Sequence, residues 1–361
     1  MVSEKQYLIA LYAFIPFGPA RLTLLKNYFK SYKDVWNATT KDLLNVGLNR
    51  SIVESFNKYK SNFDFDKFFA NLDKNNINTL TFEDKDYPPN LADLDDAPLV
   101  LYVRGEIKLS DTNAVAIVGS RKMTSYGRDV TEKLSSQLAA YGVTIVSGLA
   151  FGVDVAAHKA AVEVSGRCIA VLASGVDVVT PRSNDWLGKR ILKIGGALVS
   201  EYPPGTDPQR SFFPFRNRII SGLSKAVVVI EGMEKSGTIH TANHAAKQGR
   251  EVFAVPGQIT SPMSQAPHFL IKNGAKMVTD VSDILNELNM QLKVDKDLVE
   301  KIMPSDKTEE MIIETLQNEK MHLDEIARSL KLSVNEVSAK LTMMELKGMV
   351  RNMGNGEYGK N

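Results

Sequence analysis

The sequence predicts an α/β protein: a doubly wound, mainly parallel sheet with a small all-helical domain before it and a winged helix after it. Three observations carry this expectation. Between residues 74 and 290, apolar runs of strand length alternate with helical segments, and glycine-containing loops follow several of the runs. Outside that stretch the periodicity is helical, apart from a hairpin pattern at the end. Near-continuous apolar strands, each leading into a helix, form a parallel sheet covered on both faces.

Residues 1–73 place Leu22, Leu25 and Phe29, then Leu43, Leu44 and Val46, at spacings that build apolar helix faces, with turns at Gly18 and Gly47. The stretches IPFGPARLTLL and LLNVGLNRSIV are faintly alike and suggest two short helical hairpins, a SAM or helix-hairpin-helix arrangement. Turn amides of such hairpins can touch a phosphate, although simple helix packing also accounts for them. From TLTF onward come the strands LVLYV, AVAIV, VTIVS, CIAVLA, ALVS, AVVVIE and VFAVP, spanning a domain over 74–290. A polar stretch, QLKVDKDLVEKIMPSDK, reads as a linker over 291–307. Residues 308–361 then give three short helices and MVRNMGNGEYGK, a hairpin with a glycine turn, so a winged helix is the economical reading. Its third helix offers Asn335, Glu336, Lys340 and Glu345, a nearly balanced set that favours a protein-contact or regulatory role over sequence-specific duplex reading.

Composition bounds the function without naming it. The chain has 361 residues, 43% of them hydrophobic, enough for one sizeable core and small satellite domains. Forty-four Lys and Arg against 42 Asp and Glu leave a formal charge of +2, so affinity for a polyanion has to come from local clustering. The opening MVSEKQYLIALYAF has no basic leader, and no apolar run approaches the roughly 20 residues of a membrane helix. One cysteine, Cys168, rules out an internal disulfide framework. A cytoplasmic protein without membrane contact is expected.

The clustering appears at the ends of strands. In AVAIVGSRKMTSYGR a buried-strand pattern breaks at Gly119 and Ser120 and delivers Arg121 just before a helix. Ligands of open parallel sheets gather outside the carboxyl ends of strands, where loops meet helix N-termini. Two more small-residue loops belong to that edge, Gly148 to Gly152 and Ser236-Gly237-Thr238, and together they predict an anion cradle with Arg121 supplying charge. Neither GxGxxG nor GxxxxGK[ST] is present, so dinucleotide and P-loop chemistry lack their fingerprints. Arg182 follows CIAVLA, and SEYPPGTDPQRSFFPFRNRII adds Arg210, Arg216, Asn217 and Arg218 among Tyr202, Phe212, Phe213 and Phe215. Guanidiniums interleaved with rings suit single-stranded nucleic acid, whose base faces a duplex would hide. The plainer alternative puts two of the three phenylalanines in the core and pairs the arginines with Glu201 or Asp207.

The motifs AIVGSRKMTSYG, IVSGLAFGVDVAAH, LASGVDVVTPRSN, LVSEYPPGTDP, FPFRNRIISGLS, SGTIHTANHAAKQGREVFAVPG and LIKNGA occur in this order over residues 80 to 285. In that order they resemble the DNA-processing protein A (DprA/Smf) family. The resemblance implies a Rossmann-like, usually homodimeric protein that binds and protects single-stranded DNA and helps load the RecA recombinase during natural transformation. It further implies that Arg121 and Arg182 are backbone-binding cations and that the Gly148 and Ser236 loops complete the phosphate pocket. Two departures stand out. QITSPMSQAPHFLI replaces a short GSNxLI-like turn, which bears on the pocket wall and on self-association through Leu270 and Ile271, and Thr180 replaces the usual tyrosine before Pro181.

Enzymatic alternatives are weaker. His240 and His244 lie i to i+4 in HTANH but lack the glutamate and third ligand of a zinc motif. Asp154 and His158 read as a helix-stabilising pair, and Cys168 as a buried inert thiol. Phosphoribohydrolases of related fold carry PGGxGTxxE, whereas EKSGTIHTA keeps the Gly-Thr turn and puts Thr241 at the glutamate position. The expectation is therefore a binding protein that needs no cofactor. The alternatives are a nucleotide-sensing transcription regulator and a phosphoribohydrolase-like enzyme.

Overall fold

The structure, a computed structural model, describes residues 2–234, 236–290, 306–317, 319–346, 349–354 and 356–360. The linker expected over 291–307 lies, but for its last two residues, outside them.

Nine strands make one sheet: β1 (Ile77–Thr81), β2 (Val100–Gly105), β3 (Ala114–Val118), β4 (Thr144–Ser147), β5 (Cys168–Val171), β6 (Ala197–Ser200), β7 (Ala226–Val229), β8 (Glu251–Ala254) and β9 (Lys276–Met277). Their order is β1-β2-β6-β5-β4-β3-β7-β8-β9. From β6 to β9 every pairing is parallel, whereas β2 is antiparallel to both β1 and β6. The mainly parallel doubly wound sheet is thus present, with an antiparallel edge where no full crossover helix separates β1 from β2.

Strand alternation feeds two cores. Val115 and Ile117 point to the layer formed by the helices Ser125–Ala140, Val153–Glu163, Asp185–Lys193 and Val281–Glu287. Ala114, Ala116 and Val118 point to the opposite layer, with Ile219, Ile220, Ala242, Ala245 and Leu270 of the helices Phe212–Gly222, Gly237–Lys247 and Gln265–Lys272. Each strand is apolar throughout because each face is covered.

Six helices fill residues 4–74, the first two joined through Phe14 to Phe17, and those at Thr40–Asn45 and Arg50–Asn62 joined around Gly47. The first starts with a reciprocal cap: Gln6 N–H donates to Ser3 Oγ at 3.2 Å and Ser3 N–H to Gln6 Oε1 at 2.8 Å. The helical segment does not have a core of its own, since Leu22, Val53 and Phe56 share one cluster with Val100 and Tyr102 of β2 and with Val176. Helix and sheet regions are therefore welded by apolar contact.

At the other end, helices Lys307–Thr315, Leu323–Leu330 and Val334–Leu346 combine with strands β10 (Met321–His322), β11 (Val350–Gly354) and β12 (Glu357–Lys360) in the order β10-β12-β11. Ile312, Ile326, Val337, Leu341 and Tyr358 form the core of this winged helix. No helix among the described residues is long and apolar enough to cross a membrane.

Candidate nucleic-acid interface

Strand β3 lies between β4 and β7, and the helices that follow β3 and β7 cover opposite faces of the sheet. The chain parts at this point, which opens a crevice outside the carboxyl ends of β3 and β7, the place where such sheets bind ligands. The crevice measures about 610 Å³. Of the residues singled out in the sequence, Gly119, Ser120, Arg121, Phe213, Arg216, Asn217, Ser236, Gly237 and Thr238 line it.

Its floor is a buried arginine. Arg216 Nη1 donates to Gly148 O at 2.8 Å and to Val171 O, and Nε donates to Asn217 Oδ1 at 3.2 Å. Asp154, also buried, accepts from Gly148 N–H at 3.1 Å. Burial, opposed by Asp154 and aided by Arg121, brings the Arg216 guanidinium down to about 10, so it remains charged at neutral pH. Burial likewise pushes the Asp154 carboxyl up, against Arg216.

The rim is different. Arg121 is exposed and makes no ion pair with any described residue. Its guanidinium lies 4.9 Å from the centre of the half-buried Phe213 ring, and that of Arg216 lies 5.9 Å from it. Phe213 is thus held by two cations while part of it stays open. Opposite, the helix Gly237–Lys247 starts at Ser236 without a side-chain cap, and Ser236 Oγ is buried with no hydrogen-bond partner. Uncapped N–H groups beside a crevice are donors of the kind that anions seek.

Other expected residues stand elsewhere. Gly148 and Gly152 do not line the crevice, because their backbone is used to build it. Gly148 bonds Arg216 and Asp154, and a Cβ on it would lie 2.3 Å from the Arg216 guanidinium. Gly152 has φ +77°, and its Cβ would fall 2.1 Å from Ser120 O, so only glycine lets this loop support the Ser120-Arg121 turn. Arg182 is exposed in the short turn Arg182–Asn184, at the β5 end of the same sheet edge but beyond the crevice. Arg218 is on the far side of its helix, where Nη2 donates to both Glu201 oxygens at 2.6 and 2.7 Å, so it is not available to the crevice. Phe212 is buried, Phe213 half-buried and Phe215 exposed.

Sequence reading overlooked the Asp154–Arg216 relation, since nothing local links two residues on different elements. It also missed Tyr12, whose hydroxyl donates to Glu201 across the junction with the N-terminal helices. The separation of Arg216 from Arg218 was available as a signal, because residues two apart on a helix face different ways. Asp154 and His158 make no hydrogen bond or ion pair with each other. His158 is fully buried with both ring nitrogens unpartnered, so the expected helix-stabilising pair is replaced by two separate buried groups. His240 opens on the crevice and His244 on a second cleft, and no group of three or more metal-ligating side chains occurs among the described residues. Thr241 lines the crevice, and burial pushes the Cys168 thiol up to about 12.

Comparison with known proteins joins these features to a family. The family model for DNA recombination-mediator protein A matches residues 78–289, and that for the DprA winged helix domain matches residues 299–356. Protein Smf of Escherichia coli is 41% identical over 285 residues, covering 77% of this chain and 76% of its own. Protein Smf of Synechocystis is 33% identical over 388 aligned positions, covering 96% of each chain. Among solved structures, DNA processing protein A from Streptococcus pneumoniae superposes with a TM-score of 0.62 at 35% identity, covering 74% of this chain and 92% of that one. The corresponding protein from Helicobacter pylori, described by its single-stranded DNA binding mode, gives 0.53 at 31% identity, covering 60% and 97%. With motifs, sheet, winged helix and relatives in agreement over most of its length, the chain belongs to the DNA recombination-mediator protein A (DprA/Smf) family.

Proposed function

We propose that this protein binds single-stranded DNA in the switch-point crevice and acts there as a recombination mediator. The observation that carries the reading is the pairing of an unengaged cation, Arg121, with a half-open aromatic ring, Phe213, across from an uncapped helix start. A phosphate is drawn to Arg121 and to the N–H groups of Gly237 and Thr238 at the helix start, and a base stacks on the open part of Phe213. Arg182 supplies a further backbone contact along the same edge. Arg216 holds the floor positive from below, while Arg218 takes no part in this contact. Duplex DNA keeps its base faces stacked inside and cannot use the ring.

Binding without catalysis fits the side chains. Thr241 occupies the position where a glycosidic acid would stand, and the buried carboxylate of the floor, Asp154, faces Arg216 and the Gly148 amide. Protection of incoming strands, loading of RecA during natural transformation and a homodimeric state complete the proposal, supported by membership of the family. The test is fluorescence anisotropy of a labelled single strand and its duplex at two salt concentrations, followed by RecA filament formation on strands coated with single-strand-binding protein. Tighter, salt-sensitive single-strand binding and faster filament growth are expected. Duplex preference would overturn the binding mode in favour of a transcription regulator, and unchanged filament growth would overturn the mediator role.

A further inference from the structure

A second cleft of about 610 Å³ opens behind the crevice, between the N-terminal helices and the sheet region. The two share a wall. Helix Phe212–Gly222 turns Phe213, Arg216 and Asn217 into the crevice and Phe212, Phe215 and Arg218 into the cleft. The opposite side of the cleft is the turn that starts helix Gly18–Phe29, with Ile15, Pro19, Ala20 and Arg21. Phe215, 61% exposed, stands at the opening, and Phe212 is fixed by stacking on Tyr202 with ring centres 4.0 Å apart.

The chemistry of the cleft selects its occupant. Its polar end carries two carboxylates, Glu201 and Asp96, around one guanidinium, Arg218. That excess of negative charge repels a phosphate. An uncharged base, by contrast, has donors for Asp96, which has Arg218 at 3.8 Å as its ionic partner, and acceptors for Arg218 Nη1, which makes no hydrogen bond with any described residue. Ring faces go to Phe215 and Pro19. The positive charge sits at the other end on Arg21, which forms no ion pair among the described residues and is placed for the attached backbone.

We propose that the second cleft holds an unstacked nucleobase of the same strand that occupies the crevice, stacked on Phe215, so that the strand crosses the helix Phe212–Gly222. This rests on the single-strand reading of the crevice. The N-terminal helices then form part of the binding site, in addition to packing against the sheet.

The experiment uses the full chain and an end-labelled single strand in which 2-aminopurine is moved one position at a time. One register away from the crevice should show a fluorescence change that Phe215→Ala abolishes, and that variant should bind roughly 5- to 150-fold more weakly, the worth of one stacked base. Ala20→Trp, which fills the cleft from an accessible position, should give the same loss. Binding that still depends on Arg121 but is indifferent to both cleft variants at every position overturns the second subsite and leaves the crevice standing. Binding sensitive to the cleft variants but not to Arg121→Ala removes the crevice and with it the shared path across the helix, leaving a base site in the cleft alone, and absence of strand binding removes both.

Discussion

Replacement of Arg121 by alanine separates a phosphate contact from a structural one. The side chain is exposed, has no ion pair, and touches the rest of the protein chiefly through Phe213 at 4.9 Å. Its loss should therefore change folding stability by less than about 1 kcal/mol, the scale of an exposed cation–ring contact. Its effect on binding follows from counterion release: one phosphate on a single strand contributes about 0.7 to the slope of log K against log salt. Arg121→Ala should lower that slope by about 0.7, Arg182→Ala by a similar amount, and the double variant by about 1.4. Between 50 and 200 mM salt the loss of affinity should then be roughly 2.5-fold smaller in each single variant than in the parent. Anisotropy titrations of one labelled oligonucleotide at four salt concentrations measure the slope, and chemical denaturation checks the fold. An unchanged slope with weakened binding would show that Arg121 contacts no phosphate, which would refute the anion-site account of the rim.

Three further predictions concern the frame beneath the site. Glu201→Gln should destabilise the protein by about 3–5 kcal/mol in urea titrations, since it strips the buried one of two carboxylate partners from Arg218, whose side chain is 5% exposed, and leaves only the half-exposed Asp96; the apolar triple variant Tyr12→Phe, Glu201→Leu, Arg218→Met should recover most of the loss, and equal losses would argue against a buried-charge origin. Gly152→Ala should reduce strand binding beyond what strain alone causes, because its Cβ meets Ser120 O at 2.1 Å; Gly195→Ala, with φ +83° but open space around it, should lose stability and keep binding, and identical behaviour of the two would contradict the supporting role of Gly152. Burial holds His158 down to about 4 against an ordinary 6.5, so the unfolded chain binds more protons between those values. Its contribution is full above pH 6.5 and lost as pH falls towards 4, about 3 kcal/mol in all, and His158→Leu should have a flatter stability profile over that range than the parent.

Much of the fold was legible because its signals are local. AVAIV and AVVVIE are apolar at every position since helices cover both faces, and that alone predicts β3 and β7 as parallel interior strands. The antiparallel edge and the two-residue strands β9 and β10 were not legible, because strands that short carry no periodicity and pairing direction depends on distant partners. Within the site, GSR and SGT could be placed at the sheet edge from strand-to-helix transitions. What could not be read was the use of Gly148 and Gly152, whose value lies in what their missing side chains would strike.

The segment FFPFRNR shows how local and distant information combine. Read as a string it is a cluster of rings and cations, and it suggests one surface. A helix turns about 100° per residue, so Phe213, Arg216, Asn217 and Ile220 share one face, while Phe212, Phe215 and Arg218 share another. The first face meets the carboxyl ends of β4 and β5, where the Gly148 and Val171 carbonyls turn Arg216 into a fixed floor. The second meets Glu201 and the N-terminal helices, where the Tyr12 hydroxyl and two carboxylates turn Arg218 into a bolt between regions. Two arginines of equal charge, two residues apart, thus acquire different roles from their helical phase and from partners far away in the chain. Among the described residues lining the crevice, the cation left for a polyanion is the exposed one, Arg121, and for that reason the salt slope of its variant is the most direct measure of what the crevice binds.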